Sequence, residues 1–119
     1  MSKPVRIQLS RKKGWRMPPN TVSVARPGGW GNPFRVVRDQ GKWWCMMNRE
    51  EGIPFTNREA AVRQAIQFYR ERNIDGPDKI WNGVFRDSAI EELRGLNLAC
   101  WCPLDQPCHA DILIEIANR

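Results

Sequence analysis

The residues best suited to chemistry lie close together near the C-terminal end of the sequence. Three of the four cysteines and the single histidine fall within the ten positions from Cys100 to His109, in the stretch "ACWCPLDQPCHAD". Thiolates and imidazoles bind soft metal ions and also act as nucleophiles and bases. Three interpretations are open: a zinc site, an activated thiol, or small side chains buried in a core.

A zinc site would use Cys100, Cys102 and Cys108 as metal ligands. Cys45 or His109 would then supply the fourth ligand. The common structural zinc motifs place two residues between paired ligands, whereas the gaps here are one, five and none. Adjacent residues on a helix point about 100° apart, so Cys108 and His109 are not expected to bind the same ion. No cofactor is predicted as a requirement, and zinc is kept as an alternative.

The activated-thiol interpretation centres on Cys108. A proline precedes it, so Cys108 is predicted near the first turn of the last helix, where unpaired N–H groups and the macrodipole stabilise an anion. Such a position favours a thiolate and also suits a phosphate. The candidate catalytic residues are therefore Cys108, His109 and Asp111. The simpler alternatives are that Cys100 and Cys102 are buried as small apolar residues and that Asp111 only complements the helix start.

A second group of candidate ligands lies in the glycine loop, the segment "ARPGGWGNPF" at residues 25–34. Its glycines would let the backbone approach a ligand, its arginine offers a planar donor for phosphate, and its tryptophan offers a ring for stacking. Neither the dinucleotide fingerprint nor a P-loop is present, and a tight turn pinned by tryptophan packing is the alternative. The candidate ligand-binding residues are Arg26, Gly28, Gly29, Trp30 and Asn32.

The pattern of the chain predicts the elements that position these residues. The stretch "NTVSVA" alternates as a strand does and runs directly into the glycine loop. "FRVVRD" and "KWWCMM" flank a short turn and predict a two-stranded hairpin. "NREAAVRQAIQFYRERN" has helical spacing, preceded by a capping box of Thr56 and Glu59. Ser88 and Glu91 repeat that capping signal and predict the start of another helix.

The end of the sequence predicts a strand, a turn and a helix. In "LNLACWC" the alternation places Cys100 and Cys102 on one face and Ala99 and Trp101 on the other. "CHADILIEIANR" carries an apolar stripe at helical spacing. Strands followed by helix, strand and helix predict an α/β or α+β fold, with a central sheet and helices packed on it. We expect a single small domain over residues 21–119.

The net charge of +6 is concentrated at the N-terminal end of the chain. Residues 1–42 hold ten basic side chains and one acidic side chain, whereas residues 43–119 hold nine and twelve. Because glycine and prolines interrupt residues 1–20, this segment is predicted to be a basic arm or loop. Basic residues interleaved with tryptophans suit a nucleotide or nucleic acid, since cations meet phosphates and indoles stack on bases. A solvated basic flank is the alternative.

The sequence also bears on compartment. No apolar run approaches the length of a membrane span, and the first residues lack the apolar core of a signal peptide. We therefore expect a cytoplasmic protein with reduced cysteines and no membrane partner.

The glycine loop and the cysteine-rich stretch together resemble a small family of bacterial and phage domains that has no assigned function. The shared pattern is an Arg-Pro and Trp-Gly-Asn-Pro-Phe stretch, a helix, and then Leu-x-Cys-Trp-Cys and Cys-His-x-Asp near the end. The resemblance extends over most of residues 21–118 and leaves the basic arm outside. It implies a phage or bacterial origin, hence the cytoplasm of a bacterial host cell, and favours a single site built from both motifs.

These observations favour a nucleotide- or nucleic-acid-directed protein with a pocket between the glycine loop and the start of the last helix. Such a protein could be an enzyme, with the candidate catalytic residues acting on a glycosidic or phosphate bond. One alternative is a non-catalytic, zinc-stabilised nucleic-acid-binding module. Another is a phage protein that inhibits a host protein through some of its six tryptophans. The sequence leaves the oligomeric state and the choice between enzyme and binder open.

Overall fold

The computed structural model describes residues 3–26 and 28–119. Over these residues the chain forms six short strands and three helices, which make one mixed α/β domain and confirm the predicted fold class. Pro27 of the glycine loop lies outside the described residues. In chain order the elements are β1 Arg6–Gln8, β2 Thr21–Ser23, β3 Arg35–Asp39, β4 Lys42–Met46, β5 Gly52–Phe55, α1 Arg58–Asn73, α2 Lys79–Leu93, β6 Asn97–Cys100 and α3 His109–Ala117.

The strands form two three-stranded sheets instead of the one central sheet that was expected. The first sheet has the order β1-β6-β2, with both outer strands parallel to β6. Leu98, Ala99 and Cys100 of β6 are buried, as expected for the middle strand of a parallel sheet. Parallel strands have their carboxyl ends at one edge of the sheet. The glycine loop after β2 and the cysteine-rich stretch after β6 therefore leave the sheet at the same edge.

The second sheet is antiparallel and contains the predicted hairpin of β3 and β4, extended by β5. The hairpin turn places Gln40 at φ 51° and Gly41 at φ 75°. Positive φ at both central residues is typical of the tight turn that matches the twist of two paired strands. The turn therefore fixes the register in which Val36 lies opposite Cys45.

The helix predicted after Thr56 is present as α1, but its cap differs from the prediction. Asn57 is the N-cap residue, and its side chain accepts a hydrogen bond of 2.9 Å from the backbone N–H of Ala60. The prediction of Thr56 and Glu59 as a capping box was therefore wrong by one residue. Asparagine caps helices at least as well as threonine, so two adjacent candidates competed for this position.

The second capping signal, Ser88 with Glu91, was wrong, because both residues lie inside α2. The helix begins earlier, where the side chain of Asp78 accepts a hydrogen bond of 2.9 Å from the backbone N–H of Trp81. The buried residues of α2 recur at helical spacing on both sides of Ser88, so the helix continues through that residue. These residues are Asn82, Phe85, Ala89 and Leu93.

The first residues also differ from the predicted arm. Within residues 1–20, Arg6–Gln8 forms β1 at the edge of the parallel sheet, and the backbone N–H of Leu9 donates to the carbonyl of Cys100 at 2.9 Å. The glycine and proline signals begin only at Gly14, so they describe the loop that follows this strand. The basic segment is thus anchored to the domain at its beginning.

The core has two parts. The main part joins the parallel sheet to the three helices and contains Tyr69, Leu98 and Leu113 among its most buried side chains. The second part lies between β4 and α1, where Cys45 packs with Ala61 and Ala65. Cys45 therefore belongs to a different cluster from the other cysteines. Among the described residues, no helix has the length and apolar character needed to cross a bilayer.

Candidate functional site

A pocket of about 270 Å³ opens between the glycine loop and the cysteine-rich stretch, at the edge of the parallel sheet where both begin. One wall comes from α1 and from the strand that follows the glycine loop, and the floor comes from the cysteine-rich stretch. The two motifs therefore contribute to one pocket. The polar or sulfur-containing side chains that line it are Arg26, Asn32, Arg58, Trp101, Gln106, Cys100, Cys102, Cys108 and His109.

Two of the predicted ligand-binding residues, Arg26 and Asn32, line this pocket. Asn32 is buried, and its amide donates to the carbonyl of Ala65 at 3.0 Å while its side-chain oxygen accepts from the N–H of Phe34 at 2.9 Å. Arg26 donates to the carbonyl of Asn32 at 2.7 Å and remains exposed. Asn32 thus holds the glycine loop on α1, and Arg26 is the residue of the pair with hydrogen-bond donors to spare.

The other three predicted ligand-binding residues do not line the pocket. The ring of Trp30 packs edge-on against Phe85, with ring centroids 5.2 Å apart, and the Trp30 carbonyl accepts a hydrogen bond of 2.8 Å from the Tyr69 hydroxyl. Gly28 and Gly29 are exposed in the turn before it. The tryptophan therefore pins the turn by packing, which is the alternative that the sequence had left open.

The sulfur atoms of Cys100, Cys102 and Cys108 lie within 4.8 Å of one another on the floor of the pocket. Cys100 is the last residue of β6 and Cys102 lies just beyond it, with their Sγ atoms 3.8 Å apart. The strand predicted to continue through Cys102 therefore ends two residues earlier. Cys108 reaches them from the N-cap position of α3. Cys100 and Cys108 are buried and Cys102 is half-buried. This cluster is the group of residues that could hold a metal ion.

The three thiols cannot all ionise together, because each negative charge opposes the next. Hydrogen bonds from Cys102 and then Cys108 lower the pKa of Cys100. The same interaction with Cys100 raises the pKa of Cys102 and of Cys108, and burial raises both further. Three thiolates at this spacing therefore need a bound cation to stabilise them.

His109 lies beside this cluster with both ring nitrogens in contact with the protein. Its Nε2 is 2.8 Å from the carbonyl oxygen of Val24, and its Nδ1 is 3.6 Å from the Sγ of Cys108. The expectation that Cys108 and His109 would diverge was wrong, because Cys108 has an extended backbone (φ −150°, ψ 151°) as the N-cap residue. The angle between successive helical side chains does not apply to that residue.

Asp111, the third candidate catalytic residue, does not line the pocket. Its carboxylate accepts a hydrogen bond of 2.8 Å from the guanidinium of Arg6 and one of 3.2 Å from the N–H of Cys108. Arg6 also donates to the carbonyl of Pro103 at 2.8 Å. The carboxylate therefore joins the start of α3 to the edge strand β1 and to the loop after β6.

Three lining residues had not been proposed as site residues from the sequence, namely Arg58, Trp101 and Gln106. Arg58 is the first residue of α1 and donates to Gln106 at 2.8 Å. Trp101 is 44% exposed, and the guanidinium of Arg11 lies over its ring at 4.7 Å. Alternation had assigned Trp101 only to the face opposite the cysteines, and nothing local marks a helix-start arginine as a pocket residue.

Among the described lining residues two are arginines and none is acidic, so the pocket is positively charged.

Fold and site together define a small mixed α/β domain with a positively charged pocket whose floor is lined by thiols. The chain belongs to the family described as Domain of unknown function (DUF4326), whose family model matches residues 7–119. The family match therefore begins within β1, and residues 7–20 lie inside the family although they were expected to lie outside it.

One relative is a phage protein, the "Uncharacterized 12.4 kDa protein in nrdA-td intergenic region" of Enterobacteria phage T4. It is 33% identical over 66 residues, which are 55% of this chain and 57% of the phage protein. The matched segment thus spans just over half of that protein. No solved structure matches the chain.

Proposed function

We propose that the domain binds one nucleotide unit of a nucleic-acid strand in this pocket, beside a zinc ion held by Cys100, Cys102 and Cys108. The observation that carries the proposal is the meeting of both sequence motifs in a pocket lined by two arginines and, among the described residues, no carboxylate. A phosphate is the ligand that such a lining favours, because arginine binds it through two parallel hydrogen bonds.

The size of the pocket supports a single nucleotide unit. Its volume of about 270 Å³ is just below the range of roughly 300–1,000 Å³ for small-molecule sites, so it suits no more than one nucleotide unit. Asn32 has its amide occupied by Ala65, so Arg26, Arg58 and Gln106 are the lining residues suited to polar contacts with a ligand. At the mouth, Trp101 offers an aromatic surface for a base.

The basic segment after β1 favours a nucleic-acid strand, and not a free nucleotide, as the ligand. Arg11 contacts Trp101 at the pocket, and Lys12, Lys13 and Arg16 follow it as exposed side chains. A strand with one unit in the pocket would bring its neighbouring phosphates within reach of these cations. Ion release from the strand would then supply much of the affinity.

Binding, and not catalysis, is the role that the contacts favour. Both ring nitrogens of His109 already contact the protein, and the Asp111 carboxylate is engaged by Arg6. Cys108 is buried with a raised pKa, caused first by its interaction with Cys100. A raised pKa leaves little thiolate to act as a nucleophile, whereas the closeness of three sulfur atoms suits a shared metal ion, and zinc is one of the ions that thiolates bind well.

The proposal is tested by fluorescence anisotropy with labelled single-stranded DNA and RNA of about eight nucleotides, at low and physiological salt. We expect binding that weakens steeply as salt rises. Arg58→Ala should weaken it about 10- to 100-fold, since a charge-assisted hydrogen bond contributes roughly 1.5–3 kcal/mol. Arg86→Ala removes the same charge from α2, outside the pocket lining, and is the matched control.

Two results would contradict the proposal. Absence of binding at low salt would remove the nucleic-acid ligand altogether. Equal losses for Arg58→Ala and Arg86→Ala would show that overall charge, and not the pocket, binds the strand. Competition by a mononucleotide at the same concentration as the strand would instead identify a free nucleotide as the ligand.

A further inference from the structure

The distances around Cys108 match the edges of a tetrahedral zinc site. Zinc binds sulfur at about 2.3 Å and imidazole nitrogen at about 2.0–2.1 Å, so a tetrahedral site has S···S edges of about 3.8 Å and S···N edges of about 3.6 Å. The Sγ atoms of Cys100 and Cys102 are 3.8 Å apart, and Cys108 Sγ is 3.6 Å from Nδ1 of His109. Two edges therefore already have the lengths that zinc requires.

The other ring nitrogen of His109 fixes its tautomer. Nε2 lies 2.8 Å from the carbonyl oxygen of Val24, and a carbonyl can only accept, so Nε2 carries the proton. Nδ1 is then left with its lone pair, which is the form that binds metal. Metal-binding histidines usually donate their second N–H to a carbonyl or carboxylate in this way. His109 is buried, so this orientation is held by packing as well as by the hydrogen bond.

We infer that Nδ1 of His109 is the fourth ligand of a zinc ion held by Cys100, Cys102 and Cys108. The inference rests on the zinc ion proposed above and adds to it a closed coordination sphere. The three sulfur atoms lie within 4.8 Å of one another, whereas Nδ1 of His109 lies 3.6 Å from the Sγ of Cys108 but not within 4.8 Å of all three. Zinc binding therefore requires the sulfur atoms to close by about 1 Å and the imidazole ring to shift toward Cys100 and Cys102. Binding displaces the thiol protons to solvent and leaves three thiolates and a neutral imidazole on the ion.

A closed site gives the ion a structural role at the floor of the pocket. It would join the end of β6 to the start of α3, and through Val24 to the beginning of the glycine loop. Three sulfur ligands alone would instead leave a fourth position for water or ligand, as catalytic zinc sites do. The identity of the fourth ligand therefore decides whether the ion can take part in chemistry.

The test is X-ray absorption at the zinc edge on the wild-type protein, with native mass spectrometry for stoichiometry. We expect one zinc per chain, three sulfur atoms at about 2.3 Å and one nitrogen at about 2.0–2.1 Å, with the multiple-scattering signal of an imidazole ring. Because this measurement uses the unaltered chain, the folding of variants does not affect it. Cys45→Ala should retain zinc, since Cys45 packs in the other core cluster, whereas Cys102→Ser should lose most of it.

The outcomes separate this inference from the proposals on which it rests. A chain without zinc after growth and dialysis with zinc would overturn both the ion and the fourth ligand. One zinc with three sulfur atoms and no imidazole signal would overturn the role of His109 alone. Binding of a nucleic-acid strand is measured separately by anisotropy. Its presence or absence therefore does not affect the conclusions about the zinc ion or about His109.

Discussion

Replacing Asp111 with asparagine should destabilise the domain, because this carboxylate is the partner of a buried arginine. The side chain of Arg6 is only 7% exposed and lies 2.8 Å from Asp111, whose own side chain is 54% exposed. Removing one partner of a fully buried ion pair costs roughly 3–5 kcal/mol. Water can reach Asp111, and an amide can still accept one hydrogen bond, so we expect a loss of about 1–3 kcal/mol.

The loss is measured by urea unfolding followed by tryptophan fluorescence. With a urea dependence of roughly 1–3 kcal/mol per molar for a small protein, the midpoint should fall by about 1 M. Asp105→Asn makes the same chemical change at an exposed residue of the loop between β6 and α3, and should stay within about 0.5 kcal/mol of wild type.

A double-mutant cycle assigns the loss to the ion pair. Combining Asp111→Asn with Arg6→Gln should give a total smaller than the sum of the single losses, by about 1 kcal/mol or more. The reasoning would be refuted if Asp111→Asn matched Asp105→Asn in stability, or if the two single losses simply added.

Three further predictions concern the helices and the loop between α1 and α2. Gly76→Ala should cost about 3 kcal/mol in urea unfolding, because an added Cβ would lie 1.8 Å from the backbone oxygen of Glu71. Gly83 lies inside α2 with open space around it, so Gly83→Ala should instead raise the free energy of unfolding by about 0.5–1 kcal/mol. Equal effects at the two glycines would show that the close approach of Gly76 to Glu71 does not matter. Glu115 has its pKa lowered, first by its hydrogen bond to Arg119. Its stabilising contribution is thus present above its unfolded pKa near pH 4 and lost below it. Because the side chain is about half exposed, Glu115→Gln should change the stability difference between pH 7 and pH 3 by less than about 0.5 kcal/mol.

Elements with a local signal were predictable from the sequence. The hairpin, α1, and the final strand and helix each carry a pattern that is complete within a few residues. β1 has only three residues, and its partner in β6 is about ninety positions away in the chain. A strand this short is defined by pairing and not by its own sequence, and the glycine and prolines from Gly14 onward led to the prediction of an arm.

The site was predictable in its residue types but not in its geometry. The grouping of three cysteines and one histidine was evident, and so were two polar residues of the glycine loop that line the pocket. Whether Cys108 and His109 converge depended on the backbone of one N-cap residue. Arg58 reaches the pocket only because α1 packs beside the glycine loop, which is a contact between distant segments that no local pattern reports.

The position of β6 in the middle of the parallel sheet also affects how the chain can fold while it is being made. Both outer strands lie within the first 23 residues, yet their shared partner begins at Asn97. The ribosome must therefore release most of the chain before either strand can pair, and pairing over such separations is slow. Until then β1 and β2 have no partner strand, so a chain arrested before Asn97 should present both to chaperones and proteases.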